Sequence, residues 1–238
     1  MLKIPIEVEE FYESNKNITW RLSPSYNQIE DIFVDDTVGW IKVKKDIGSI
    51  SSWEEEASLI NDYYVKHRKG SYDHSGWLSC CLHGLSIFNT EFTEDNLNYD
   101  WTELADRCPF IVNFWKQFPV ERFKRLRFMK LEPKGYINIH NDLPENGKHF
   151  KLKEIDPLNN TVAVNLAITN PSNCFMVIEK NGIVPWSPGD IYIINNTKNH
   201  CVINNSDQPR IHMIAECVIG NKLNEFIGLI KDSINDKN

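Results

Sequence analysis

The stretch "RLRFMKLEPKGYINIHND", residues 125–142, holds two short runs in which apolar and polar residues alternate, divided by Pro133 and Gly135 and closed by a histidine and an aspartate two positions apart. Alternation with a period of two predicts strands over 125–131 and 136–140, with the Glu-Pro-Lys-Gly between them as punctuation. Side chains two apart on an extended chain leave the same face, so His140 and Asp142 can converge on one point. Two such donors at one point suggest a metal ion.

The same texture continues downstream in VAVNLAIT (162–169), CFMVIE (174–179), IVPW (183–186), DIYIIN (190–195), HCVIN (200–204) and RIHMIAECV (210–218), with Asn181-Gly182 as a hairpin signal. Eight antiparallel strands can form two facing four-stranded sheets, a jelly roll of the cupin kind whose interior holds a ligand. The long connection 143–160 reads as a lid or substrate collar. Its Lys148, His149, Lys151 and Lys153 form a solvated basic face or a lure for an acidic substrate.

Upstream, SWEEEASLINDYYVKHRKG predicts a helix opened by a capping box of Ser52 with Glu55, with Trp53, Ala57, Ile60 and Tyr64 on one stripe and Gly70 as its stop. A second helix opens at Pro109, aligns Ile111, Phe114, Trp115 and Phe118, and ends at Pro119. Leu223, Phe226, Ile227, Ile230 and Ile234 predict a closing helix. The expected class is therefore α+β: one domain over 1–238, with a double-stranded β-helix core at 121–220, a buttress of helices and accessory strands at 1–120, and a C-terminal helix at 221–238.

With 26 basic against 33 acidic residues the net charge is −7 and no basic block appears, which argues against nucleic acid or an anionic membrane as the partner. The amino terminus reads as no secretory signal, and no apolar run reaches the roughly 20 residues of a membrane helix, so a cytoplasmic location is expected. The 6 cysteines lack CxxC spacing and read as reduced thiols.

A lone H-x-D is weak in a chain with 7 histidines. His200 at the start of the seventh run and Arg210 at the start of the eighth make it specific. Two imidazoles and one carboxylate on one face of octahedral Fe(II) leave positions open for a co-substrate and dioxygen. A 2-oxo acid chelates such an ion with its keto oxygen and adjacent carboxylate, and the planar fork of Arg210 suits a second, remote carboxylate.

On these residues, the region from about Arg125 to Glu216 resembles the 2-oxoglutarate and Fe(II)-dependent oxygenases, and within them the aspartyl/asparaginyl β-hydroxylase family, in its amino-acid hydroxylase branch. The resemblance is carried by EPKGYINIHND (132–142), VNLAITNP (164–171), the PGD turn (188–190), His200 and Arg210, and extends through SGWLSCCLHG (75–84) and CPFIVNFWKQFP (108–119). It implies Fe(II) on His140, Asp142 and His200, which are then the catalytic set, and 2-oxoglutarate on Arg210 with Asn165 nearby. It implies hydroxylation of an unactivated carbon of a free amino acid or of a peptide side chain, with dioxygen consumed and succinate and carbon dioxide released. The animal β-hydroxylases have a small residue where this chain has Asp142, and Met129, Thr161 and Ala163 align with their polar ligand contacts, so the substrate differs.

Arg125, Arg127, Trp77 and His83 are candidate substrate contacts, each with a plainer reading as an edge-strand charge or a packed ring. His74, His149 and His212 read as chemically idle, although His212 shares a strand face with Arg210 and is a secondary pocket candidate. Two other functions fit the same pattern: a cupin-like metalloenzyme that uses no 2-oxo acid, which usually recruits a further histidine, and a non-catalytic sensor on the same barrel.

Overall fold

Residues 122–140 form one strand, not two, and that strand organises the molecule. A computed structural model describes residues 4–21, 37–67, 74–89, 98–142 and 161–235. In chain order its elements are α1 (Ile6–Asn15), β1 (Trp40–Val43), α2 (Ile50–Ser58), β2 (Val65–Lys66), β3 (His74–Gly84), β4 (Asp100–Trp101), α3 (Pro109–Lys116), β5 (Arg122–His140), β6 (Thr161–Thr169), β7 (Cys174–Ile178), β8 (Gly182–Ile183), β9 (Ile191–Ile194), β10 (His200–Asn204), β11 (Arg210–Val218) and α4 (Leu223–Asn235).

The hydrogen-bonded path is β1-β9-β6-β11-β5-β10-β7-β8, with every pairing antiparallel, and β3 joins the opposite edge of β5. The first half of β5, up to Leu131, pairs with β11, whereas Tyr136 to His140 pair with β10. β5 thus passes from one sheet of the jelly roll to the other. The expected Glu-Pro-Lys-Gly punctuation bends the strand without ending it: Lys134 adopts φ 61°, and a Cβ on Gly135 would meet Ser75 O at 2.7 Å and Glu132 O at 2.8 Å. Only glycine allows that close pass of two backbones.

Alternation along the strands sorts side chains between two apolar layers. Outward residues such as Phe128, Val164, Leu166, Met213 and Ala215 pack with Trp53, Ala57, Ile111 and Trp115 of the helices. Inward residues Leu131, Ile137, Ala167, Met176, Tyr192, Ile194 and Val202 line the barrel. Each large side chain so buried contributes about 1.5–3 kcal/mol. The outer face of the second sheet, Val177, Cys201 and Ile203, is covered by Val8 of α1 with Phe11 and Tyr12, a helix the apolar periodicity did not announce.

Three local expectations change. The capping box of Ser52 and Glu55 is absent: α2 begins after Ser49, and the neighbouring Glu56 accepts the N–H groups of Phe110 (2.8 Å) and Ile111 (2.9 Å), capping α3 instead. α2 stops at Ser58, because Val65 and Lys66 are drawn into the sheet beside β3. The IVPW run contributes only Gly182–Ile183, since Pro185 cannot donate to a ladder. Gly70 and the 143–160 segment, with its lysines and His149, lie outside the described residues. All six cysteines are free and buried, as reduced thiols should be. Among the described residues no helix is long and apolar enough to cross a membrane.

Candidate metal centre

Antiparallel pairing of β5 with β10 sets His140 directly opposite His200, and the two imidazoles lie 4.3 Å apart between ring centres. Neighbouring positions on adjacent strands are the closest approach a sheet offers, so two histidines sixty residues apart meet without any loop having to position them. Asp142, just past the end of β5, is tethered by Asn196: its N–H donates to Asn196 O (2.9 Å), and Asn196 Nδ2 donates to Asp142 Oδ2 (3.1 Å). One ligand atom from each of His140, Asp142 and His200 lies within 4.8 Å of the others.

The tautomers follow from the partners. His140 Nδ1 meets Asn138 O at 2.7 Å and His200 Nδ1 meets Lys198 O at 2.9 Å. A carbonyl only accepts, so each Nδ1 carries the hydrogen and each Nε2 keeps its lone pair. Burial, reinforced by the neighbouring His140, pushes His200 down to about 4, so its imidazole is neutral at neutral pH. His140 Nε2 stands 3.8 Å from Asp142 Oδ1, too far for a hydrogen bond but suited to two ligands sharing an ion. Neutral Nε2 donors with Nδ1–H anchored to carbonyls, plus one carboxylate, match what an Fe(II) or similar divalent ion requires.

Deeper in the barrel Arg210 is 6% exposed, and no carboxylate pairs with it among the described residues. Its Nε and Nη2 face both ring nitrogens of His212, at 3.1 Å from Nε2 and 2.8 Å from Nδ1, and His212 Nε2 also meets Asn170 Oδ1 (3.3 Å). Burial first and Arg210 second hold His212 far below the ordinary imidazole value, so it does not neutralise the guanidinium. The nearby Cys174 thiol is pushed up to about 11 by burial and is uncharged too. Asn165 lies on the inward face of β6, opposite Ile214 and Tyr192, buried, its side chain making no hydrogen bond with a described residue.

Around the mouth, Arg125 and Arg127 are buried, not an exposed edge: Arg125 donates through Nε (3.2 Å) and Nη2 to Glu216, and Arg127 Nη2 donates to the same carboxylate (3.0 Å). Burial raises the Glu216 carboxyl and the two guanidiniums more than reverse it. Burial lowers Arg127, and Glu216 and, more weakly, Asp142 oppose that shift, so this cluster and the triad share one field. The Trp77 ring lies 6.1 Å from that of His140 and 4.1 Å from that of His67, while His74 sits 5.6 Å from His140 and accepts the Asn138 N–H (2.9 Å). His74, read as idle, therefore abuts the site. His83 does not: a bulge between Cys81 and His83 turns it among Trp101 (5.2 Å) and Phe123 (5.9 Å), on the helix-facing side. Asn196 and Glu216 escaped the sequence reading because their roles depend on which strands adjoin.

Residues 39–218 match the model of the aspartyl/asparaginyl β-hydroxylase family. The chain belongs to that family. Membership makes this β-hydroxylase relative an enzyme of the 2-oxoglutarate-dependent oxygenase class. A prolyl hydroxylase from Trichoplax adhaerens, solved with a hypoxia-inducible-factor peptide, is similar at TM-score 0.50 and 8% identity over 89% of this chain and 92% of its own. A 2OG-Fe(II) oxygenase-family oxidoreductase from Burkholderia pseudomallei is similar at TM-score 0.49 and 10% identity over 86% of this chain and 95% of its own. No curated protein matches the sequence. The jelly-roll core expected from the strand pattern is the fold of this family member, as its strand order shows.

Proposed function

We propose that the protein hydroxylates a carbon of an amino acid, free or within a peptide, using Fe(II) on His140, Asp142 and His200 and 2-oxoglutarate seated on Arg210 and Asn165. The observation that carries this reading is the pairing of a converging His-Asp-His set with a buried guanidinium that has no carboxylate partner among the described residues. Bound iron would supply dioxygen activation. The chain's own residues do the rest: the Asn138 and Lys198 carbonyls anchor both Nδ1 atoms and aim each Nε2, and Asn196 orients the carboxylate. Arg210, behind an apolar wall, selects a 2-oxo acid with a second carboxylate, because a buried guanidinium gains most from a charge-assisted pair.

Arg125, Arg127 and Trp77 face the same mouth and would receive the substrate, an arrangement suited to a carboxylate-bearing one. The peptide bound by the Trichoplax prolyl hydroxylase makes peptides worth testing beside free amino acids. Protein mixed with Fe(II) and 2-oxoglutarate should release succinate and carbon dioxide, faster when a screen of amino acids and peptides meets the right substrate. Absence of both 2-oxoglutarate binding and succinate release from folded, Fe(II)-loaded protein would refute the reading, and His200→Ala should abolish release.

A further inference from the structure

Trp186 is 9% exposed, and its indole Nε1–H is buried with no hydrogen-bond partner among the described residues. A buried donor left without an acceptor is costly, so an orphaned one beside the Arg210–His212 pair points to an acceptor that arrives with a ligand. The ring packs edge-on against His212 (4.6 Å, 69°) and against Tyr192 (4.6 Å, 79°). Tyr192 cannot supply the missing acceptor, since its hydroxyl donates to Pro185 O (3.1 Å). His212 cannot either: both its ring nitrogens face the Arg210 guanidinium, Nε2 at 3.1 Å and Nδ1 at 2.8 Å, which takes the one lone pair of the neutral ring. In the apolar cluster around the ring, Trp40, Leu131, Ala167 and Ile194 offer no side-chain acceptor, and the indole makes no bond to the sulfur of Met176.

A guanidinium without a carboxylate and an indole N–H without an acceptor therefore both adjoin one imidazole, that of His212. A carboxylate answers both needs, with one oxygen on the arginine and the other on the indole. Resting on the function proposed above, we propose that Trp186 is a co-substrate-binding residue whose indole N–H donates to the remote carboxylate of 2-oxoglutarate beside Arg210. This makes the chamber selective for a 2-oxo diacid over a 2-oxo acid of equal length without the second carboxylate.

The test uses the full chain loaded with redox-inert Zn(II), titrated calorimetrically with 2-oxoglutarate and with 2-oxopentanoate. Trp186→Phe should weaken 2-oxoglutarate binding roughly 10- to 100-fold, the worth of a hydrogen bond to a charged acceptor, and leave 2-oxopentanoate unchanged within about twofold. In the ¹⁵N-labelled wild type, the Trp186 indole resonance, assigned through its proximity to the Tyr192 and His212 rings, should move downfield with 2-oxoglutarate and stay in place with 2-oxopentanoate. This second readout decides the matter even where the variant fails to fold. Tight wild-type binding of 2-oxoglutarate with an unmoved indole resonance, or with an unchanged constant in folded Trp186→Phe, overturns the role of Trp186 and leaves the proposed function standing. Failure of the wild type to bind 2-oxoglutarate overturns both.

Discussion

Replacing Asn196 by alanine should loosen the metal centre without touching a ligand. Asn196 holds Asp142 twice, through its own carbonyl and through Nδ2 on the carboxylate at 3.1 Å, and alanine removes only the second bond. A neutral donor on a charged acceptor contributes roughly 1.5–3 kcal/mol when buried. The Asp142 side chain is 40% exposed, so water recovers part of that, and about 1–2 kcal/mol remains. At roughly 1.4 kcal/mol per factor of ten, divalent-ion affinity should fall about 5- to 30-fold, within the range usual for residues that orient a ligand. Titration with Co(II), followed by its visible absorption, measures this directly, with thermal unfolding as the control for intact structure. Affinity unchanged within twofold in a folded variant would mean that the backbone alone aims Asp142, and the reasoning about Asn196 would be wrong.

Two further outcomes follow from buried polar groups away from the ion. Asn204 is fully buried where β10 turns towards β11: Nδ2 donates to Leu131 O (3.1 Å), Glu132 O (3.2 Å) and Gln208 O (2.8 Å), and Oδ1 accepts from Ser206 N–H (3.1 Å) and its hydroxyl (2.6 Å). Asn204→Ala should cost about 2–4 kcal/mol in urea unfolding; a loss below 0.5 kcal/mol would show that water replaces the amide. Burial lowers His83 to about 4, below the ordinary 6.5, so between those pH values the unfolded chain binds a proton that the folded one refuses. The contribution is full above pH 6.5 and is lost as pH falls towards 4, by up to about 3 kcal/mol. His83→Phe should therefore flatten the acid limb of the stability–pH curve, and parallel curves would refute the burial argument.

The strand pattern after Pro119, the helix led by Pro109 and the pairing of His140 with Asp142 are local properties, carried by periodicity and punctuation that act on neighbours in the chain. So the α+β jelly roll and the His140–Asp142 pair of the candidate centre are legible from local pattern, with His200 and Arg210 added by the chemistry of a metal-bound 2-oxo acid. Whether Arg125 and Arg127 lie on a wet edge or within the mouth is not, because alternation reveals two faces without saying which one a second sheet covers. The burial of both on Glu216, the rotation of His83 to the helix side by one bulge, the approach of His74 to His140 and the orphaned indole of Trp186 all depend on register between strands distant in sequence. A one-residue slip in register exchanges the faces of a whole strand, and only the assembled sheet fixes it.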